Sequence, residues 1–398
     1  MNAETPPLLP YNGDMLRWAR EWRGRTVEEA AARVSVPVRR LLEWETGSAD
    51  DRPTVRQARE LASFYDRAFL EFFYDQPPEI KASGLIPDFR VAHDVPDPHG
   101  NREILVVQHW AEAQRLNVLD LYETLGDPIG GFPDHLRATV DDDVEEVARA
   151  TREAFNFPIE RQRHMTAEER KRLPDLLRER MERSGVLVLR RNDLGEFGVS
   201  GLCIVASPLP IIVFATEAPQ RQAFTLMHEF GHIVLQQSAI SGPEFARTGG
   251  SYGKKVERWC NRFASAFLIP RDALAELRPV PAVPAPSMDD ATLNAVAQSF
   301  RVSAHAMMIR LVQLRYVEEE FYWTVKLPQF RREEQAWSAN GRSRYWASRI
   351  VNSLGNLYTG LVLEAWGTGR IPFHQAVEYM GLPSPSHLGA IRQEFGGA

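Results

Sequence analysis

The stretch FTLMHEFGHIVL, from Phe224 to Leu235, contains the spacing His-Glu-x-x-His on an otherwise apolar segment. Residues four apart lie on one face of a helix, with about 5–6 Å between their Cβ atoms, so two imidazoles can converge on one tetrahedral ion. The apolar neighbours indicate a partly buried helix, in which histidines without a ligand are costly. We therefore expect His228 and His232 to bind Zn²⁺, rather than to be two surface histidines.

The residue between them, Glu229, has the chemistry of a general base. A carboxylate beside the metal can take a proton from water that the zinc has acidified, which is the chemistry of peptide hydrolysis. A catalytic zinc usually has three protein ligands, so a third must lie downstream. Glu257 is our candidate, and Glu244 stays open as an alternative. Cys260 is expected to be a small core residue.

Short runs of β-branched residues bounded by Gly and Pro come before this helix and predict strands of a small sheet. They are Val186–Leu189, Leu202–Val205 and Ile211–Phe214. The tight connection Ser207–Pro210 predicts a hairpin between the last two. Helices from Pro219 to Gln236 and from Lys255 to Leu268 would carry the candidate ligands. We expect an α+β core with helical domains on both sides.

The length of 398 residues predicts two or three domains, because a domain typically has roughly 100–200 residues. The N-terminal cues are a stop at Gly24, a capping box from Thr26 to Glu29, Pro37 in the first turn of a third helix and a stop at Gly47. The expected organisation is a helical domain at 13–75, a linker at 76–101, the core at 102–278, a Pro-rich spacer at 279–288 and a helical region at 289–398. Further helices are predicted near 103–124, 142–155 and 166–184.

Composition restricts the class of protein. No apolar run approaches the roughly 20 residues needed to span a bilayer, so we expect no membrane insertion. Two cysteines and an N-terminus without a secretory pattern indicate the cytoplasm. The net charge of -6 provides no global attraction to a phosphate backbone, so any contact with nucleic acid must be local.

The segment Arg221–His232, together with Glu257, Asn261 and the run 263–270, resembles the ImmA/IrrE family of bacterial metallopeptidases over residues 150–275. The resemblance implies a zincin-like core, zinc held by His228, His232 and Glu257, and Glu229 as catalytic residue. Cys260 departs from the family, which usually has Ala there. Characterised members cleave helix-turn-helix repressors, so the resemblance implies a zinc endopeptidase acting on a transcriptional repressor in a stress, phage or mobile-element response.

Residues 14–75 resemble the phage-repressor (XRE) type of helix-turn-helix through Ala30–Ala32 and Leu42–Gly47. The resemblance implies binding to double-stranded DNA, with Arg39, Arg40 and Glu43 facing the major groove. A helical interaction or dimerisation module remains open, because residues 13–75 carry 11 basic and 12 acidic side chains.

Two other functions also remain open. The chain could be a DNA-binding regulator whose peptidase-like domain is a sensor or partner-binding module, or a zinc hydrolase that acts on something other than protein. Tyr252 and His305 are available to stabilise an oxyanion. A homodimer is a candidate assembly.

Overall fold

The structure is a computed structural model that describes residues 11–23, 25–47, 51–65, 67, 69–76, 98–241, 252–278, 281, 283–336, 346–382, 384 and 386–396. The chain forms two compact units. The first comprises Met1–Leu85 and Asp94–Trp110, and the second comprises Ile86–His93 and Ala111–Ala398.

The first unit is helical, and its first four helices are α1 (Gly13–Arg23), α2 (Val27–Arg33), α3 (Val38–Glu45) and α4 (Val55–Tyr65). They pack around a core that includes Leu16, Leu41, Leu61 and Phe72. The predicted capping box is confirmed: the Glu29 amide donates to the Thr26 hydroxyl at 3.1 Å, and the Thr26 amide donates to the Glu29 carboxylate at 3.0 Å.

The ends of α3 follow the local sequence. Pro37 is the N-cap of α3 rather than a residue of its first turn, because its extended ψ of 145° lies outside the helix. Gly47 follows the C-terminal end with a φ of +78°, which glycine adopts readily.

The predicted stop at Gly24 lies outside the described residues. So do most of the predicted linker residues, and α5 (Pro98–Leu125) begins within the predicted linker.

Between α5 and the sheet, the α-helices of the second unit have at most 11 residues. They are α6 (Val144–Ala154), α7 (Ile159–Arg163), α8 (Ala167–Lys171) and α9 (Leu173–Arg183). The predicted helix at 166–184 is thus two helices, broken at Arg172. Pro174 lies at the start of α9, where a missing amide hydrogen costs little.

The sheet has four strands in the described part of the chain: β1 (Leu187–Arg191), β2 (Gly201–Ile204), β3 (Ile211–Ala215) and β4 (Ala239–Ser241). Their order is β1-β3-β2-β4. β1 is parallel to β3, and β2 is antiparallel to both β3 and β4. The predicted hairpin is confirmed by the register Ile204 to Ile211. β4 was not predicted, because three residues show no periodicity.

Two long helices follow the sheet and carry the candidate ligands, α10 (Pro219–Val234) and α11 (Tyr252–Leu268). The remaining helices are α12 (Arg271–Leu277), α13 (Asp290–Ser299), α14 (Ala304–Gln313), α15 (Glu319–Phe321), α16 (Leu327–Ala336), α17 (Trp346–Gly367), α18 (Phe373–Tyr379) and α19 (His387–Gly396), with a π-helical turn at Tyr322–Lys326 between α15 and α16.

One hydrophobic core joins the ligand helices to the helices that follow them. Phe230 of α10 and Phe267 of α11 belong to the same cluster as Leu293 of α13, Leu311 of α14 and Phe330 of α16. The α+β class is confirmed. Among the helices that the structure describes, none is long and apolar enough to cross a membrane.

Candidate metal centre

Helices α10 and α11 approach each other closely at Gly231. A Cβ atom there would lie 3.1 Å from the ring of Phe263 and 3.3 Å from Cα of Cys260. A side chain at this position would require Phe263 or Cys260 to shift by a few tenths of an ångström. Glu257 lies one turn before Cys260 on α11, so the close approach brings its carboxylate to the histidines of α10.

The side chains of the three predicted ligands lie in contact with one another. His228 Nε2 and His232 Nε2 are 3.2 Å apart, and the Glu257 carboxylate oxygens lie 3.3 Å from the former and 3.0 Å from the latter. All three side chains are buried, with His232 fully inaccessible. Among the described residues, these three form a group whose ligand atoms lie within 4.8 Å of one another.

These separations suit zinc. Four ligands at about 2.0–2.1 Å from a tetrahedral zinc lie about 3.3 Å from one another. The three observed distances lie within a few tenths of an ångström of that value. Two neutral imidazoles and a carboxylate are also the donor set of hydrolytic zinc sites, which keep a fourth position for the reaction.

Asn261 orients the first histidine. Its side-chain oxygen lies 3.0 Å from Nδ1 of His228, and both residues are buried. An oxygen there accepts the Nδ1 hydrogen and leaves Nε2 with its lone pair directed at the candidate site. Asn261 lies four residues after Glu257, so one face of α11 carries both a ligand and the partner of another ligand.

Burial and the close contact between the three side chains shift the pKa of each of them. Burial alone would raise the pKa of Glu257, but the adjacent His228 and His232 lower it to about 2. Burial lowers the pKa of His228, and the charge and hydrogen bond of Glu257 outweigh this effect and raise it. The pKa of His232 is lowered, because burial dominates there. Glu257 is consequently the permanent negative charge of the site.

Glu229 is buried beside the ligands in a very small space. Burial raises the pKa of its carboxyl to about 8, although His228 and the Ser241 hydroxyl lower it. Neither carboxylate oxygen has a well-aligned hydrogen-bond partner among the described residues. A Cβ at Gly201 of β2 would lie 2.6 Å from Oε1 of Glu229, so only glycine fits at that point of the strand.

The candidate site opens into a cleft of about 440 Å³. α10 contributes His228, Glu229 and Phe224, and an apolar wall comes from α13, α14 and α16. Its lining includes Ala297, Val302, Ile309 and Phe330, with the polar groups Arg170, Arg221, Gln298 and His305. A cleft of this size with an apolar wall and a few polar groups is typical of ligand-binding sites.

His305 lines the cleft. Glu244 and the side chain of Tyr252 lie outside what the structure describes. Neither Gly201 nor Asn261 has a role that was predicted from the sequence. The position of Asn261 four residues after a candidate ligand was a usable signal, whereas the role of Gly201 depends on packing between a strand and a helix.

The predicted DNA-reading residues lie on α3. Arg39 has a side chain that is 90% exposed and pairs with Glu43 at 2.9 Å. Arg40 makes two hydrogen bonds to Asp51, at 2.7 and 2.8 Å. This contact raises the pKa of Arg40 and lowers the pKa of Asp51. Arg39 is thus the more accessible cation of the two.

Comparison with known proteins gives two regional matches. Residues 181–312 match a peptidase family model described as the IrrE N-terminal-like domain, and residues 16–72 match a helix-turn-helix model. A similar protein is the radiation response metalloprotease IrrE of Deinococcus radiodurans, which is 35% identical over 69 residues. The aligned part is 17% of this chain and 21% of that protein. No solved structure matches. The resemblances drawn from the sequence are confirmed.

Proposed function

Because the chain joins a helix-turn-helix domain to an IrrE-like peptidase domain, we propose that it is a zinc-dependent endopeptidase of a regulatory type. Its substrate would be a helix-turn-helix transcriptional repressor in a stress, phage or mobile-element response in the cytoplasm. The observation that carries the proposal is the convergence of His228, His232 and Glu257 beside buried Glu229 at the base of a cleft. The name of the matched relative also favours a regulatory metalloprotease.

The three zinc ligands and Glu229 have separate roles in the proposed reaction. Zinc held by the three ligands supplies Lewis-acid chemistry, since it acidifies water and polarises a carbonyl. Glu229 accepts a proton as the water oxygen adds to the scissile carbonyl carbon. It then delivers that proton to the amine nitrogen as the carbon–nitrogen bond breaks. Burial raises the pKa of the Glu229 carboxyl, which favours its holding the proton between these two steps.

The test measures zinc content and repressor cleavage in the native protein and in Glu229→Gln. The substrate is a helix-turn-helix repressor encoded beside the protein. Both forms should bind about one zinc, and only the native form should cleave. Glu276→Gln, an exposed residue of α12, is the matched control and should cleave normally. A native protein without zinc, or one that binds zinc and leaves the repressor intact, would favour the regulator whose peptidase-like domain is a sensor.

We also propose that the N-terminal domain binds double-stranded DNA, which the helix-turn-helix match over residues 16–72 supports. Arg39 on α3 is the cation best exposed to contact a base or phosphate. Proteins of this type often bind paired half-sites as dimers, so a homodimer belongs to the same proposal. Fluorescence anisotropy with the upstream region of its own gene, at two salt concentrations, tests DNA binding. Sedimentation of the protein–DNA complex tests the dimer.

A further inference from the structure

A histidine outside the ligand set lies on the apolar wall of the cleft. His305 is in the first turn of α14, where the Ser303 hydroxyl caps the helix by accepting from the Ala306 amide at 3.1 Å. It lines the same cleft as His228 and Glu229. The cap and the cleft together place an imidazole next to the space that a peptide substrate would occupy.

Two neighbours hold this imidazole in one orientation. Its Nε2 lies 3.1 Å from the hydroxyl of Tyr322, and its ring stacks on Phe330 with centroids 4.6 Å apart. Tyr322 is only 4% exposed. A hydrogen bond and a ring stack on the same side chain remove most of its rotational freedom.

Tyr322 begins the π-helical turn Tyr322–Lys326. π-helical turns are rare and frequently occur at functional sites. The turn is held at its other end by Lys326, which is 4% exposed and pairs with Asp290 of α13. The turn therefore begins at the tyrosine that contacts His305 and ends at a buried lysine that is paired with α13.

The wall that carries His305 is fixed to the helix that carries Glu257. Arg310 of α14 is 1% exposed, donates to the Ile269 carbonyl at 2.8 Å and pairs with Glu145 at 2.6 Å. Gln162, fully buried, donates to the carbonyls of Leu268 at 2.8 Å and Phe300 at 2.7 Å. These buried contacts connect the end of α11 to the end of α13 and to the last turn of α14.

Peptide hydrolysis needs a donor for the carbonyl oxygen, which becomes negatively charged as water adds. Three of the other polar side chains of the cleft have partners in the structure: Asn261 contacts His228, and both Arg221 and the Thr225 hydroxyl contact Glu217 at 3.2 Å. The imidazole of His305, which is fixed on the cleft wall, is suited to be this hydrogen-bond donor.

We propose that His305, oriented by Tyr322, donates a hydrogen bond to the scissile carbonyl oxygen in the transition state. This inference rests on the proposed peptidase function. His305 keeps its proton throughout: Glu229 takes the proton of the attacking water and passes it to the leaving amine. Tyr322 is a positioning residue that acts through His305.

The kinetic test uses the repressor substrate with His305→Gln, Tyr322→Phe and the double variant. Loss of one oxyanion donor lowers kcat about 10²–10³-fold, and we expect this for His305→Gln with a much smaller change in KM. Tyr322→Phe should lower kcat less. The double variant should be no slower than His305→Gln, because Tyr322 acts only through the histidine. His374→Gln, an exposed histidine of α18, is the matched control and should retain native kinetics.

A binding test is independent of turnover. The probes are N-phosphoryl-leucyl-tryptophan, whose tetrahedral phosphoryl group mimics the transition state, and mercaptoacetyl-leucyl-tryptophan, which lacks those oxygens. For the zinc-loaded protein, His305→Gln should weaken the phosphoryl probe about 10²-fold or more and leave the thiol probe within about twofold.

The outcomes separate the two proposals. Equal weakening of both probes, or native kcat in His305→Gln, overturns the role of His305 while the peptidase function stands. A double variant slower than His305→Gln shows that Tyr322 does not act through the histidine. A native protein that neither cleaves the repressor nor binds either probe overturns the peptidase function, and the role of His305 with it.

Discussion

Replacing Gly201 with alanine should separate catalysis from metal binding. The added Cβ would lie 2.6 Å from Oε1 and 2.8 Å from Cγ and Cδ of Glu229. Non-bonded carbon atoms rest at about 3.5–4.0 Å, so the carboxylate must move by about 1 Å. A shift of this size in a catalytic group can lower the rate about 10²-fold, and we expect that loss in kcat. The three atoms nearest to the added Cβ all belong to Glu229 and none to a ligand, so zinc content should stay near one per chain.

The measurements are repressor cleavage, zinc content and thermal unfolding of the same preparations. Overpacking a buried site costs about 1–3 kcal/mol, so the variant should unfold a few degrees lower but remain folded at 25 °C. Gly195→Ala is the matched control, because a Cβ there meets no atom within 4 Å. Native kcat in Gly201→Ala would refute the reasoning. A loss of zinc that parallels the loss of cleavage would also refute it, since the strand would then support the metal rather than the base.

Three further predictions concern the metal and the DNA-binding domain. Asn261→Ala should weaken zinc binding about 10–100-fold in a chelator competition, because His228 loses the group that orients it; unchanged affinity would contradict this. Zinc affinity should fall as pH drops below the raised pKa of His228, by about tenfold per pH unit for one competing proton, and should level off above that pKa. Chelator competition across about pH 5.5–8.5 measures this dependence, and an affinity that does not change with pH would contradict the prediction. Arg39→Ala should weaken DNA binding and reduce its salt dependence, whereas equal anisotropy curves would exclude Arg39 from the interface.

The sequence predicts the parts of the site that depend on local geometry. The pairing of His228 with His232 needs only a helix, since four residues make about one turn. Glu257 could be predicted as the third ligand because it lies on the next helix. In the structure, its carboxylate oxygens contact both histidines. Gly201 could not be predicted, since its role arises where β2 packs on Glu229.

Longer contacts explain the other differences. β4 forms because it pairs with Gly201 to Cys203 of β2. The local sequence of Ala239–Ser241 contains no pattern that predicts a strand. The role of Tyr322 depends on its contact with a residue 17 positions earlier in the chain. Such contacts are decided by the packing of α14 against the following helices, which single-sequence periodicity does not report.

The open edge of the sheet at β1 is closed by side chains. The carbonyls of Val188 and Arg190 accept from Arg178 and from the Ser353 hydroxyl, the latter at 2.8 Å. Arg178 also donates to the Asn352 carbonyl at 2.7 Å, just before α17 kinks at Gly355. A shortened protein that ended before α17 would leave the Arg190 carbonyl at the strand edge without its Ser353 partner, and Arg178 would lose the carbonyls of Asn352 and Ser353. Exposed strand edges recruit strands from other molecules, so truncation at that point should produce aggregates rather than a smaller folded protein.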